Sequence, residues 1–287
     1  MRWTPGGVSP NIEDRRGMGG GGFSFGRGPQ LGCGGLVILL VLSLLTGRNF
    51  FTLFDGSGGS GQTPPAQTST APVEQTPEEA KIYDFLAKFL DQNIQGTWTQ
   101  VLEREGIQYQ PARMVFYRDI TQTACGTGQA ATGPFYCPGD QSVYLDFGFF
   151  EELDRRFGAP GDFAQAYVVA HEIGHHVQNV LGTSSRVQEA MQRDRRNANE
   201  YSVRLELQAD CYAGVWGHYA ARSGHLEPGD LEEGLAAAAA VGDDRLQQMS
   251  GRAVNPESFS HGSSAQRMEW FRRGFENGDM RVCDTFR

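Results

Sequence analysis

The sequence predicts an α+β fold, mostly helical with a small β-sheet, preceded by one transmembrane helix. Three observations carry this. Twenty uncharged residues lie between Arg27 and Arg48, ending in GGLVILLVLSLLTG. A stretch of Gly, Ser, Thr, Pro and Gln follows at 55–77. From Phe149 onward, apolar residues recur mainly at helical spacing.

The 287 residues carry a formal charge of -9, with 38 Gly, 6 His and 5 Cys. Collagen is excluded because the Gly has no three-residue period, and a small disulfide scaffold because Cys is too sparse. Residues 1–77 hold 5 Arg against 4 acids, whereas residues 78–287 hold 20 basic against 30 acidic residues, a charge of -10. So acidic a segment is a poor match for nucleic acid, and none is expected as a partner.

Residues 1–30 are rich in Gly and Arg without apolar periodicity, and they read as a disordered tail. At about 1.5 Å per residue, the uncharged run reaches roughly 30 Å, the thickness of a bilayer core, so 31–54 is read as a transmembrane anchor. The rival is a cleaved signal peptide, but no Ala-x-Ala site follows Leu45 and the preceding tail is long. Arg2, Arg15, Arg16 and Arg27 precede the span and only Arg48 lies close behind it. This bias predicts a single-pass inner-membrane protein with a cytoplasmic N-terminus and its domain periplasmic or extracellular.

Residues 55–77 have the composition of a linker, leaving 78–287 as the folded domain. Thr76 and Pro77 before two Glu make a helix start, and Ile82, Phe85, Leu86, Phe89 and Leu90 form its core face. Short strands are expected at 113–118 and 142–145. Helices are expected near 149–157, 162–181, 185–223, 229–249 and 263–277, with Gly182, Gly224 and Gly278 as stops.

Cys125 and Cys137 bracket a Gly-rich stretch, and a disulfide there suits an extracytoplasmic domain. Cys211 and Cys283 make the remaining even pair, although Cys211 also reads as a buried thiol. Cys33 falls in the apolar run without a partner.

The chemistry concentrates in AYVVAHEIGHHVQNVLG, where His171, Glu172 and His175 form H-E-x-x-H. On a helix, residues i and i+4 share a face, so both imidazoles reach one tetrahedral Zn²⁺ with Glu172 beside the open position as general base. The helix is otherwise largely apolar, and burying two His and a Glu there without a ligand or partners is costly. Two hydrogen-bonded core histidines are the bland alternative. His176 points about 100° away from His175 and reads as structural.

A third ligand is required. An astacin-like extension needs Gly at 178 and His at 181, but the chain has Gln178 and Leu181. Glu206 is the favoured acid, because Asp210 follows one turn later and can hold the far nitrogen of a ligand His. Glu189 and Glu200 have Arg193 and Arg204 at i+4 and are expected in surface pairs. His261 is a candidate donor to a developing oxyanion, against the reading of an ordinary loop His. Asp243, Asp244 and Arg245 read as an ion-pair cluster supporting the core, with a substrate clamp as the less favoured alternative.

The chain resembles the bacterial putative neutral zinc metallopeptidase family, membrane-anchored proteins of the gluzincin type. The resemblance runs from MRW and NIEDRRG through TACGTG, GPFYCPGD, FAQAYVVAHEIGHHVQN, ELQADCYAG, AVGDDRLQ and FSHGSSAQR to the final CDTF. It implies a zincin-like fold, an edge strand that aligns an extended substrate, one Zn²⁺ on His171, His175 and Glu206, and Glu172 as base. The expected function is a membrane-anchored zinc peptidase of the bacterial envelope, acting on peptide or protein substrates. The alternative is a catalytically inactive zinc-binding envelope interaction protein. Glu172 favours the enzyme, since a metal kept only for structure does not need that carboxylate.

Overall fold

Thr76 opens the first helix of the domain through a capping box, its hydroxyl accepting from Glu79 N–H while the Glu79 carboxylate takes the Thr76 N–H. This computed structural model describes residues 1–17, 73, 75–129, 133–155, 158, 159 and 161–287. Helix α1 (Pro77–Phe85) passes through a π turn at Leu86–Leu90 into α2 (Asp91–Arg104). Their apolar face, with Phe85, Leu86, Leu90, Ile94, Trp98 and Leu102, is buried in the core.

A four-stranded sheet comes next, in spatial order β1 (Ile12–Asp14), β2 (Arg113–Tyr117), β6 (Ser142–Asp146) and β5 (Phe135–Cys137). The first three strands run parallel and β5 runs antiparallel at the edge. All five residues of β6 are buried, as expected for a parallel strand covered on both faces. A separate hairpin joins β3 (Ile120–Thr123) to β4 (Gly126–Gln129).

The helices that follow are α3 (Gly148–Arg155), α4 (Asp162–Val180), α5 (Thr183–Arg193), α6 (Ala198–Arg222), α7 (Asp230–Ala240), α8 (Asp243–Met249) and α9 (Ser264–Asn277). Two expected helices are each divided. The helix expected at 185–223 breaks at Asp194, whose backbone is non-helical, and the one at 229–249 breaks at Gly242, which is extended. Neither break carries a Pro and the first lies in the polar run QRDRRNANE at 192–200, so the sequence offers no strong stop there and the pattern alone joins them.

The largest correction concerns the N-terminus, read from sequence as part of a disordered tail at 1–30. Residues 1–17 belong to the same folded unit as 72–287. Ile12, Glu13 and Asp14 pair with Met114, Val115 and Phe116. Trp3 packs on Phe85, and the Ser9 hydroxyl donates to Asp91 at 2.5 Å. The buried guanidinium of Arg16 bonds Asp14 and lies 4.5 Å from the Phe147 ring centroid and 5.0 Å from that of Tyr83. Such anchoring depends on partners about 100 residues away, so the local composition gives no sign of it.

The expected topology, with the N-terminus cytoplasmic and the domain outside, turns on the span between these two parts of the chain. The expected span at 31–54, Cys33 and nearly all of the 55–77 linker lie outside the described residues. Among the described residues, no helix is long and apolar enough to cross a membrane.

Single cysteines placed at the exposed positions Thr4 and Arg252 in a Cys33→Ser background should react with an impermeant maleimide from the same side of sealed membranes. Labelling from opposite sides would contradict the β1–β2 pairing.

Candidate active site

Helix α4 is buried along nearly its whole length, and it carries His171, Glu172 and His175 on consecutive turns. The two imidazole centroids stand 4.8 Å apart. Their third neighbour comes from α6, where Glu206 Oε2 lies 3.2 Å from His171 Nε2 and Glu206 Oε1 lies 3.4 Å from His175 Nε2. One ligand atom from each of the three lies within 4.8 Å of the others.

Close helix packing makes this meeting possible. A Cβ on Gly174 would stand 2.9 Å from the Ala209 carbonyl oxygen and 3.1 Å from Ala209 Cα, so only glycine lets α6 come so near α4 between the two His. Glu206 and Asp210, on either side of Ala209 in sequence, are thereby brought to His171 and His175. On the far side of α6, Gly214 and Gly274 allow a backbone-to-backbone approach to α9, which brings in Arg267.

Asp210 is fully buried and its carboxylate accepts from four donors. These are Tyr167 Oη at 2.5 Å, His171 Nδ1 at 2.8 Å, and Arg267 Nε and Nη2 at 2.8 and 2.9 Å. A carboxylate facing Nδ1 fixes the proton there and leaves Nε2 of His171 free to face Glu206. Burial alone would raise the Asp210 pKa, but the charges of Arg267 and His171 outweigh it and hold the carboxyl below its ordinary value. Burial likewise opposes a charged His171, yet the Asp210 carboxylate and hydrogen bonds to Asp210 and Glu206 raise it to about 10.

These three residues fit a zinc ion. One ligand atom from each lies within 4.8 Å of the others, and each His Nε2 has one or other Glu206 oxygen at 3.2 or 3.4 Å, near the roughly 3.3–3.6 Å edge of a tetrahedron with bonds of about 2.0–2.2 Å. The His2Glu donor set is borderline-soft nitrogen plus one carboxylate, and the surrounding field favours positive charge, as the raised pKa values of His171 and His175 show. Glu172 and all three donors line a cleft of about 710 Å³.

His261 lines the same cleft, on the loop before α9. Asp243 holds that loop in place, its Oδ2 accepting from the backbone N–H of Ser260, His261 and Gly262. Its Oδ1 meets His261 Nδ1 at 3.2 Å, and this hydrogen bond, outweighing burial, raises the His261 pKa. Asp244 caps α9 through Ser264 N–H and Oγ, both at 2.8 Å. Asp243 and Asp244 are thus loop anchors.

His176 faces away from the donor set. Its Nε2 donates to Gln110 O at 2.7 Å, so Nδ1 accepts from Tyr136 Oη at 2.9 Å, tying α4 to the edge strand β5. Pro134, Phe135 and Tyr136 line the cleft beside it. Glu189 and Glu200 pair with Arg193 and Arg204 at 3.0 and 2.6 Å. Both disulfides, Cys125–Cys137 and Cys211–Cys283, are formed.

Sequence reasoning missed Tyr167 and Arg267. Arg267 did carry a signal, since it falls on the buried stripe of α9 with Phe271 and Gly274, and an arginine on such a stripe demands an acid.

Fold and site define an α+β protein, mostly helical, with an H-E-x-x-H helix closed by a glutamate from a second helix. The chain belongs to the putative neutral zinc metallopeptidase family, whose model matches residues 1–286. It is 47% identical over 293 residues to the uncharacterized protein YpfJ of Escherichia coli strain K12, covering 100% of this chain and 99% of that one. It is 45% identical over 205 residues to the uncharacterized protein Rv2575 of Mycobacterium tuberculosis strain H37Rv, covering 68% and 67%. No solved structure gives a significant match.

Gly174→Ala should push α6 away from α4. Despite a gain in helix propensity of about 1 kcal/mol, the overlap with backbone is expected to cost about 1–3 kcal/mol and to weaken zinc uptake. Thermal denaturation and zinc titration check this, and an unchanged zinc affinity would show that the close approach is not needed.

Proposed function

We propose that this protein is a zinc-dependent peptidase with a zincin-like catalytic domain, in which His171, His175 and Glu206 hold one zinc ion. The observation that carries this reading is Glu172, a carboxylate lining the cleft beside a fitted His2Glu donor set. Zinc, when bound, polarises a peptide carbonyl and lowers the pKa of water.

The side chains divide the remaining work. Glu172 takes the proton from water as its oxygen adds to the carbonyl carbon, then hands that proton to the leaving nitrogen as the C–N bond breaks. His261, whose pKa is raised by its hydrogen bond to Asp243, stands in the cleft as the donor to the developing oxyanion. Asp210 keeps the His171 imidazole in the tautomer that presents Nε2. The edge strand β5 runs beside the cleft, available to align an extended peptide by main-chain pairing.

We place the domain outside the cytoplasm, on the strength of its two disulfides. Membrane attachment is assigned to the apolar run within 31–54. Substrates are then peptides or proteins of the bacterial envelope.

Glu172→Gln should keep its zinc and lose about 10²–10⁴ in peptide hydrolysis, measured by cleavage profiling of the full chain. Equal cleavage by that variant would sink the mechanism, and zinc uptake without any cleavage by the wild type would favour the inactive zinc-binding alternative. Glu206→Ala should lose zinc. His261→Ala should retain it with kcat lower by about 10²–10³.

A further inference from the structure

The two histidines of the donor set need separate devices to present Nε2, and Asp210 serves only His171. The corresponding group at His175 is an amide. His175 Nδ1 lies 2.9 Å from Gln178 Oε1, one turn further along α4. The assignment of oxygen and nitrogen in that amide is fixed by its surroundings. Gln178 Nε2 donates to Leu205 O at 2.6 Å, and a backbone carbonyl only accepts, so the oxygen end must face His175.

The same nitrogen also donates to Gln208 Oε1 at 3.2 Å. Gln208 is oriented in its turn, because its Nε2 donates to Cys283 O at 3.0 Å. Two amides in series are therefore each locked by a backbone carbonyl, and the second carbonyl belongs to the residue bridged to Cys211. Gln178 is fully buried, so no water competes for its oxygen.

We propose that Gln178 is the positioning residue that makes His175 a zinc ligand, by accepting a hydrogen bond from Nδ1–H and leaving Nε2 unprotonated toward Glu206. This rests on the zinc reading given above. Gln178 also ties His175 to the α6 backbone at Leu205, the residue before Glu206, so one side chain sets the spacing of two of the three donors. A neutral acceptor at His175 beside an anionic one at His171 satisfies both imidazoles without adding a second buried carboxylate behind the site, where desolvation would be costly.

The test is zinc affinity of the full chain by chelator competition, for wild type, Gln178→Leu and Gln178→Glu. Leucine removes both the acceptor for His175 and the donor to Leu205, whereas glutamate removes only the donor. Leucine should weaken zinc binding by roughly 10–100-fold, and glutamate, which keeps the acceptor for Nδ1 but carries a costly buried charge, should weaken it clearly less. Wild-type affinity in the leucine variant would overturn the proposal. So would equal weakening in both variants, which would assign the role to the Leu205 contact. Wild type that takes up no zinc would instead overturn the metal reading beneath it.

Should the leucine variant fail to fold, histidine-labelled zinc-loaded wild type and Gln178→Glu supply the readout by NMR. A slowly exchanging Nδ1 proton on His175 is expected in both. Its absence from wild type would refute the assignment.

Discussion

Asp210 is the point on which the rest of the site depends. A carboxylate without solvent exposure costs several kcal/mol unless it is paired, and here it is paired with a buried guanidinium and two further donors from other helices. Tyr167 and His171 come from α4, Asp210 from α6 and Arg267 from α9, so none of the three helices can slide without leaving charge unpaired. The small residues Gly174, Gly214 and Gly274 let those helices approach far enough for the network to close. The donor triad then needs no restraint of its own beyond the groups behind each imidazole.

The sheet plays a different part. Its central strands are buried on both faces and carry no candidate chemistry, but they place β5 along the cleft. His176 fastens that strand to the helix bearing His171 and His175, through Tyr136 on one ring nitrogen and Gln110 O on the other. Burial lowers the His176 pKa, which keeps Nδ1 an acceptor near neutral pH and the link intact. At the opposite edge, β1 brings residues 1–17 into the same fold, and NIEDRRG is accounted for by pairing and by arginine stacked on aromatic rings.

Much of the helical framework was legible because amphipathic periodicity is a local property. The start at Thr76, the strands near 113 and 142, and the helix containing His171 and His175 all follow from spacing and punctuation. The i+4 pairs of Glu189 and Glu200 were legible for the same reason. Strands β1, β3, β4 and β5 were not, since each is only three or four residues long, too short for alternation to register, and β1 also depends on a partner far along the chain. Gln178 entered the sequence reading only as the wrong residue for another ligand pattern, because an amide gives no sign of what it faces.

By itself the sequence determined the residue types that chemistry requires and their helical phase: His171 and His175 one turn apart, Glu206 and Asp210 one turn apart, and cysteines in even number in the acidic segment. Those are consequences of 3.6 residues per turn and of side-chain chemistry. Tertiary structure alone decided that the two helical pairs face each other, that Arg267 neutralises Asp210, that Leu205 O turns the Gln178 amide so that its oxygen faces His175, and that residues 1–17 join the domain's sheet. Each is a contact between segments tens of residues apart, set by packing and by the need to satisfy buried charge, and no local pattern encodes it.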